Sequence, residues 1–320
     1  MQPQPQQPQT RGCVLTFAGL GGMGRLGNQL FQIAAAAAFA AELGVPCVVP
    51  PWRYAAYLRG GPLADAFARF AAAGDAPPDV AVEVRERGFA HRESAGPVAL
   101  ELREAVRAVR RHCAAEGGAA VGGGGGGAVA VSLSGYFQSE LYFAPRYAAA
   151  VRALFSPGPD ARGYLDARFG AALRARPRAC ALHVRRGDYV ANCARHALQP
   201  LSYYAAAVSL LYPDAARAAA EVGFFVFSDD PAWCREHLPP ALPPGAAVLF
   251  VEGSPDDILD MWLMARCDDH VIANSSFSWW GAWLCERPGK RVVAPLSRWF
   301  GPELAHLNTA DVLPAGWVGL

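Results

Sequence analysis

The chain has almost no lysine and almost no net charge. Lys290 is the only lysine among 320 residues, so arginine carries nearly all of the positive charge. Because alanine, glycine and proline are also abundant, we attribute this to compositional bias, and an isolated arginine is weak evidence of function. The formal net charge of +1 predicts no field that would draw the protein to nucleic acid or to an anionic membrane.

Three further features are absent. No two of the eight cysteines form a Cys-x-x-Cys pair, which excludes zinc-knuckle and thioredoxin-like motifs. We expect mainly buried thiols, with one or two disulfides if the protein is luminal. No apolar run reaches the roughly 18 residues of a membrane-spanning helix. Residues 1–10 are mostly Gln and Pro, which is typical of a disordered tail and not of a signal peptide. The sequence as given is therefore expected to be soluble.

The apolar pattern predicts an α/β fold with two Rossmann-like domains that face each other. Strand 14–17, a Gly-rich loop, helix 28–43 and strand 47–49 form a β-loop-α-β unit. From residue 180 onward, short apolar strands alternate with helices, which predicts parallel sheets covered by helices on both faces. These predicted elements are strands 180–184, 224–227, 247–251, 270–273 and 292–294, and helices 202–211, 231–238, 256–265 and 277–284.

The predicted domains cover residues 11–165 and 170–320. Between the two β-rich halves we expect strand 129–133 and helices 141–154 and 160–174. Residues 60–127 look less regular, and the six glycines at 122–127 predict a surface loop within 117–127.

The most informative motif is His-Val-Arg-Arg-Gly-Asp-Tyr at 183–189, directly after a predicted buried strand. It brings two arginines to the carboxyl edge of a sheet, where open α/β folds bind ligands. Adjacent guanidinium groups there indicate a phosphate-bearing ligand, because they pair with phosphate oxygens in a bidentate way. The alternative is a surface arginine pair with Asp188 as its salt-bridge partner.

A second motif, Gly-Arg-Leu-Gly-Asn-Gln-Leu-Phe-Gln at 24–32, lies between the first strand and the first helix. Its glycines allow a close approach of the backbone to a ligand, and a helix N-terminus favours anions. It lacks the spacing of a dinucleotide fingerprint and the end of a P-loop, so by itself it is equally consistent with a tight turn.

A third motif, Phe-Ser-Asp-Asp-Pro at 227–231, ends another predicted strand. A carboxylate there can accept hydrogen bonds from the ring N–H groups of a purine such as guanine. Alternatively, an aspartate caps the following helix. The two interpretations are balanced for Asp230, and the ligand role is favoured for Asp229.

A fourth motif comprises residues 260–265 and then 270–283, where a strand ends in Asn-Ser-Ser and a helix starts at once. Hydroxyl and backbone N–H groups at such a start can hold phosphate. Trp279, Trp280 and Trp283 are expected to be core residues in preference to sugar platforms. The glycosylation sequon at 274–276 is discounted, because it follows a buried strand.

In this order, the four motifs resemble the α-1,2-fucosyltransferase family, from about residue 19 to 300 and only weakly between 55 and 128. The long fourth motif points to the α-1,2 branch. The resemblance implies a GT-B glycosyltransferase (a hexosyl-type transferase) with GDP-L-fucose as donor and a galactose-terminated glycan as acceptor. It places the acceptor in the N-terminal domain and the donor in the C-terminal one.

The resemblance also implies roles for individual residues. Arg185 is expected to hold the donor pyrophosphate, with Arg186 in support and His183 in contact with the donor. Asp229 matches the guanine-reading position. Further donor-binding residues are expected along the phosphates and from the N-terminal half: Asn274, Ser275, Ser276, Ser278, Arg25, Gly27 and Asn28.

The implied reaction is an inverting transfer of fucose to the 2-hydroxyl of galactose, without a metal. The chain contains Asp-Asp pairs but no Asp-x-Asp metal motif. Asp188 is the expected catalytic base, because no other carboxylate lies between Asp166 and Asp214. It could instead orient Arg185 or His183, and a dissociative route with weak base assistance is also open.

Two other functions are compatible with the sequence: transfer of a different sugar from a GDP donor, and glycan binding without catalysis. No nucleic acid partner and no direct membrane contact are expected. The resemblance implies a Golgi location for a eukaryotic protein and a cytoplasmic one otherwise.

Overall fold

The computed structural model describes residues 12–57, 70–72, 79–116 and 129–320, and in them two parallel sheets are covered by helices. The strands are β1 Cys13–Thr16, β2 Cys47–Val49, β3 Phe70–Ala72, β4 Asp79–Arg85, β5 Val129–Ser134, β6 Arg178–Val184, β7 Val222–Ser228, β8 Ala247–Phe250, β9 Asp269–Val271, β10 Arg291–Ala294 and β11 Val318–Gly319. The helices are α1 Leu26–Leu43, α2 His91–Glu116, α3 Ala148–Leu154, α4 Pro159–Arg174, α5 Gly187–Ala191, α6 Leu201–Leu211, α7 Ala215–Glu221, α8 Pro231–His237, α9 Asp257–Ala265 and α10 Ser276–Leu284. The predicted α/β fold with parallel sheets is confirmed.

Each sheet has a point where the strand order reverses. The first sheet has the order β3-β2-β1-β5-β4, and the second has the order β11-β10-β9-β6-β7-β8. All the strand pairs recorded in these sheets are parallel. The order reverses between β1 and β5 and again between β6 and β9. Ligands of open α/β sheets bind beyond the carboxyl ends of the strands at such points.

The first helix shows why the local sequence folds as it does. Helix α1 is a nearly continuous apolar, alanine-rich segment, and alanine is the best helix former. It ends at Gly44, which adopts a left-handed conformation (φ 63°) and donates its N–H back to carbonyls of the last turn. Residues 29–40 are all buried, so α1 lies in the core and not on the surface.

The three tryptophans of the fourth motif are core residues, as predicted. Trp279 and Trp280 on α10 are fully buried, and Trp283 is 2% exposed. The ring of Phe31 on α1 lies 4.5 Å from that of Trp279 and 4.9 Å from that of Trp280. Side chains that follow strands of the two sheets therefore share one apolar cluster. Large aromatic surfaces buried in this way contribute strongly to packing.

The expectation that residues 60–127 are irregular is wrong for β4 and α2. The sequence Gly96-Pro97 suggests an interruption, yet α2 continues through it for 26 residues. Its apolar stripe, Val98, Leu102, Val106 and Val109, recurs at helical spacing and is buried. Packing of that stripe against β4 and β5 stabilises the helix despite the proline. The glycine run at 122–127 and the tail at 1–10 lie outside the described residues.

Other differences are local. The helix predicted at 141–154 is divided into a short 3₁₀ turn at Glu140–Tyr142 and α3, because Pro145 between them cannot donate a helical hydrogen bond. Helices α5 and α7 were not predicted. All eight cysteines are free, and only Cys193 is exposed. Among the described helices, none combines the length and apolar character needed to cross a membrane.

The two sheets lie on either side of the predicted domain boundary. The strands of the first fall between residues 13 and 134, and those of the second between 178 and 319. The domain limits themselves stay a prediction.

Candidate active site

A cavity of about 650 Å³ lies where the two reversal points meet. The first sheet contributes the Gly-rich loop after β1 and residues 136 and 138 after β5. The second contributes the ends of β6 and β7 and the residues that follow β9. The cavity thus occupies the position that the topology of both sheets favours for a ligand.

Arg185 is held in this cavity by two carboxylates. Its Nη2 lies 2.5 Å from Oδ1 of Asp188, and its Nη1 lies 2.9 Å from Oδ2 of Asp229. The side chain is 14% exposed, and the guanidinium carbon lies 5.3 Å from the centre of the Tyr189 ring. A guanidinium held on two sides has little rotamer freedom left, so its remaining edge presents positive charge in one direction.

Asp188 uses both of its oxygens in ion pairs. Oδ1 pairs with Arg185, and Oδ2 lies 3.4 Å from Nη2 of Arg25, which comes from the loop after β1. Of the two roles considered from the sequence, this geometry favours the orientation of Arg185. Both oxygens of Asp188 are thus engaged in holding the two guanidinium groups.

The aspartates that follow β7 are also engaged. Asp229 accepts a hydrogen bond from the backbone N–H of Arg186 in addition to its pair with Arg185. Asp230 caps α8 by accepting from the N–H of Trp233, so the capping interpretation describes its geometry. Both oxygens of Asp229 are thus bonded to arginine groups, and its role as guanine reader stays a prediction.

Arg186 points away from the cavity. Its Nε lies 3.1 Å from Oδ2 of Asp230, and its guanidinium stacks 3.9 Å from the ring centre of Trp233. Arg186 is not among the residues that line the cavity. The expectation that both arginines face the ligand is therefore corrected to one, because successive residues beyond a strand point to opposite sides.

His183 lines the cavity as a neutral ring. It is 4% exposed, and its Nδ1 is buried without a protein hydrogen-bond partner. Burial and the neighbouring charge of Arg185 lower the pKa of His183 to about 3. At neutral pH it carries no charge, so it can contact a ligand but cannot neutralise a phosphate.

The Asn-Ser-Ser segment divides between the cavity and the interior. Ser275 and Ser276 line the cavity at the start of α10. The amide of Asn274 instead donates to the carbonyls of Ala197 and Trp299, at 2.9 and 2.7 Å. Ser278 is fully buried and bonds the carbonyl of Ser275. The expectation that Asn274 and Ser278 lie along the phosphates is thus corrected: their side chains hold the loop and the helix turn that present the two serines.

Helices α1 and α10 touch at their first turns. A Cβ atom on Gly27 would lie 2.4 Å from the carbonyl carbon of Ser276 and 2.5 Å from the nitrogen of Phe277. Next to it, Oδ1 of Asn28 accepts hydrogen bonds from the hydroxyl of Ser276 at 2.7 Å and from the amide of Gln138 at 2.6 Å. Gly27 and Asn28 therefore join the two sheets at the cavity, beside the exposed side chain of Arg25.

Two aspartates on the first turn of α9, Asp257 and Asp260, also line the cavity, and sequence reasoning gave a role to neither. Burial, reinforced by Asp256, raises the pKa of Asp257 to about 6. Asp260 accepts a hydrogen bond from Ser254 through Oδ1, and burial raises its pKa. Asp260 has no lysine or arginine within 4 Å in the described part of the chain, and its Oδ2 has no protein partner there. The signal for these residues was an acidic first turn in an otherwise apolar helix.

His196 was also missed. Its ring stacks on that of Tyr189, with centroids 4.5 Å apart and an angle of 13° between the planes. It lines the cavity beside Phe300, Leu304 and Leu307. It lies in a loop without periodicity, so no sequence pattern could indicate it.

The family model described as Glycosyl transferase family 11 matches residues 166–320. An α-1,2-colitosyltransferase of Escherichia coli is 35% identical over 192 residues, which is 59% of this chain and 62% of that protein. The O-antigen biosynthesis glycosyltransferase WbnK of Escherichia coli is 34% identical over 142 residues, 43% of each. The chain thus covers less than two thirds of either relative.

Two solved structures show the same fold at low identity. A crystal structure of POFUT1 in complex with GDP-fucose matches with a TM-score of 0.57 and 15% identity, over 89% of this chain and 98% of that one. A mutant of Arabidopsis thaliana FUT1 in complex with GDP matches with a TM-score of 0.52 and 11% identity, over 97% and 76%.

The contact between α1 and α10 predicts a sharp response at Gly27. Replacing it with alanine should lower the free energy of unfolding by about 1–3 kcal/mol, because the new methyl group meets backbone that cannot turn aside. The matched control is Gly163→Ala in α4, where a Cβ would have no atom within 4 Å. That change should raise stability by about 0.5–1 kcal/mol. Urea unfolding of the two variants measures both effects, and equal effects would contradict the close contact.

Proposed function

We propose that this protein transfers L-fucose from GDP-fucose to the 2-hydroxyl of a terminal galactose, a proposal supported by the match of residues 166–320 to the model described as Glycosyl transferase family 11. The observation that carries the proposal is Arg185, fixed by two carboxylates at the reversal point of the second sheet, opposite the start of α10. In this proposal the two sheets belong to the two facing domains of a GT-B enzyme, with the donor on the C-terminal one.

The pyrophosphate of the donor binds between Arg185 and α10. Arg185 supplies a fixed positive charge, and the first turn of α10 supplies unpaired backbone N–H groups and the hydroxyl of Ser276. Arg25 reaches the same place from the other sheet and is 68% exposed, so its remaining N–H groups can contact a phosphate while it stays paired with Asp188. These groups stabilise the GDP leaving group as its charge develops, which is the work a divalent ion does elsewhere.

The guanine base is read by Asp260 in place of Asp229. Guanine presents N1–H and a 2-amino group as donors, and these require acceptor oxygens. Each oxygen of Asp229 already accepts a bond from an arginine residue, whereas Oδ2 of Asp260 is without a protein partner in the described residues. His183 lies in the same cavity as a neutral contact for the nucleoside.

The transfer is a single displacement with inversion at the sugar carbon. Arg185 draws electron density toward the departing phosphate, and Asp188 and Asp229 keep its guanidinium in line. Asp188 is then a positioning residue, and Arg185 is the catalytic residue of the motif. Arg186 supports the arrangement indirectly, through the backbone N–H that it donates to Asp229.

Colitose is a second candidate for the transferred sugar. The name of the 35% identical relative assigns α-1,2-colitosyl transfer to that protein. Colitose is fucose without its 3-hydroxyl, so the same cavity could accept either nucleotide sugar. A donor site with a hydrogen-bonding partner for that hydroxyl would discriminate between them strongly.

The direct test is to incubate the protein with GDP-fucose or GDP-colitose and terminal galactosides, and to map the linkage formed. Arg185→Ala should lower kcat by about 10²–10³-fold or more, because the charge on the leaving group loses its fixed partner. Arg217→Ala, which removes an exposed guanidinium from α7, is the control and should leave activity unchanged. Binding of galactosides without any GDP release by the wild type would instead support a glycan-binding protein, and near-normal turnover of R185A would refute the phosphate clamp.

Chelation tests the proposed independence of metal. The arginine clamp predicts the same rate before and after incubation with EDTA. Within the described residues, no three His, Cys, Asp or Glu side chains are grouped as a metal site would require. Loss of activity in EDTA, restored by manganese, would show that a divalent ion shares the work of Arg185.

The assignment of guanine predicts different effects for two aspartates. Asp260→Asn should weaken GDP binding by about 10- to 100-fold, the magnitude of a hydrogen bond to a charged group, and should narrow the preference for GDP over IDP, which lacks the 2-amino group. Asp229→Asn should weaken the binding of GDP and of IDP equally, because this substitution acts through Arg185. Isothermal titration of both nucleotides measures this, and the reverse pattern would make Asp229 the reader.

A further inference from the structure

The proposed displacement includes a proton transfer to which no residue has yet been assigned. The acceptor hydroxyl must lose its proton as it attacks, and a base within hydrogen-bond reach assists that loss. Both oxygens of Asp188 are in ion pairs with arginines. The ring of His183 is buried against Arg185, and its pKa of about 3 makes it a very weak base.

His196 occupies a different position in the same cavity. Three groups are layered outward from β6: the guanidinium of Arg185, the ring of Tyr189 at 5.3 Å from it, and the ring of His196 at 4.5 Å from Tyr189. The hydroxyl of Tyr189 donates to the carbonyl of Asn274, which fixes the middle layer. His196 therefore stands one aromatic ring away from the group that holds the leaving phosphate.

The ring of His196 is open on the side of the cavity. In the described part of the chain, no protein group is hydrogen-bonded to either nitrogen of the ring. The two nitrogens are also not among the buried polar atoms that lack a partner. Phe300, Leu304 and Leu307 line the same cavity and carry no proton acceptor. A mixed wall of apolar side chains and one polar ring suits a sugar, which has apolar faces and hydroxyl edges.

We propose that His196 is the general base that takes the proton from the galactose 2-hydroxyl, an inference that rests on the proposed function. The hydroxyl oxygen forms its bond to the anomeric carbon while that carbon's bond to the phosphate oxygen breaks. GDP leaves with the electron pair, and the hydroxyl proton passes to an imidazole nitrogen. The imidazolium then returns the proton to solvent, so no other reactant is needed.

The charges around His196 keep it ready for this task. Burial lowers the pKa of His196, and Arg185 and Arg195 act in the same direction, whereas Asp188 opposes them. The ring is therefore neutral at pH 7 and able to accept a proton. Activity should fall as the pH drops through this lowered pKa, because the imidazolium cannot act as a base.

The test is the pH dependence of transfer by the full chain. His196→Gln keeps a polar side chain but removes the base, so kcat should fall by about 10²–10⁴-fold and the acidic limb of its pH profile should flatten. GDP affinity should stay within a few-fold of the wild type, because His196 does not reach the nucleotide. The pH profile of kcat is the decisive measurement. Loss of a merely structural contact would lower kcat at every pH but would leave the acidic limb of the profile in place.

His237→Gln is the matched control. His237 also stacks on an aromatic ring, that of Trp233 at 4.8 Å, but it does not line the cavity. The His237→Gln variant should keep the wild-type kcat and the acidic limb of the pH profile. A wild-type profile in H196Q, or a lower kcat with the limb intact, would overturn the role of His196. If the wild type transfers no sugar at all, the proposed function fails instead, so the two failures are distinguishable.

Discussion

The close contact between the first turns of α1 and α10 is the constraint on which the cavity depends. At residue 27 there is no room for a side chain, because a Cβ would lie 2.4 Å from the backbone of Ser276. Behind that contact, Phe31 packs against Trp279 and Trp280. The aromatic cluster holds the two helices together, and the missing side chain lets their N-termini converge. The loop after β1 and the start of α10 can therefore face one ligand.

The ion pairs in the cavity determine which of its side chains remain available to a ligand. Arg185 engages Asp188 and Asp229, and Arg25 completes the second pair of Asp188. Carboxylates bonded in this way orient arginine, and each of their oxygens already accepts a bond. Two further acceptors line the same cavity: Asp260 on α9, and His196, whose ring stacks on that of Tyr189.

Most of the strands and the place of the site could be predicted from the sequence, but β3, β4 and β11 were not. Buried strands such as β6 and β7 are short apolar runs, and the residues after them lie at a known edge of the sheet. The direction of individual side chains could not be predicted, because it depends on tertiary partners. Asn274 turns inward to carbonyls from two distant loops, and Arg186 turns to Trp233. Helix α2 was missed because a proline near its start outweighed a weak apolar stripe.

The residues that sequence reasoning missed have a common physical cause. Asp260 belongs to an apolar helix whose acidic first turn is its one signal, and His196 belongs to a loop with no pattern, so neither segment indicates a ligand role. Their chemistry arises only when α9 and the loop after α5 are brought to the same cavity. There, the positive field of Arg185 serves two purposes: it attracts the charge of a leaving phosphate and helps to keep His196 neutral. One fixed guanidinium thus prepares both the departure of the nucleotide and the removal of the acceptor proton.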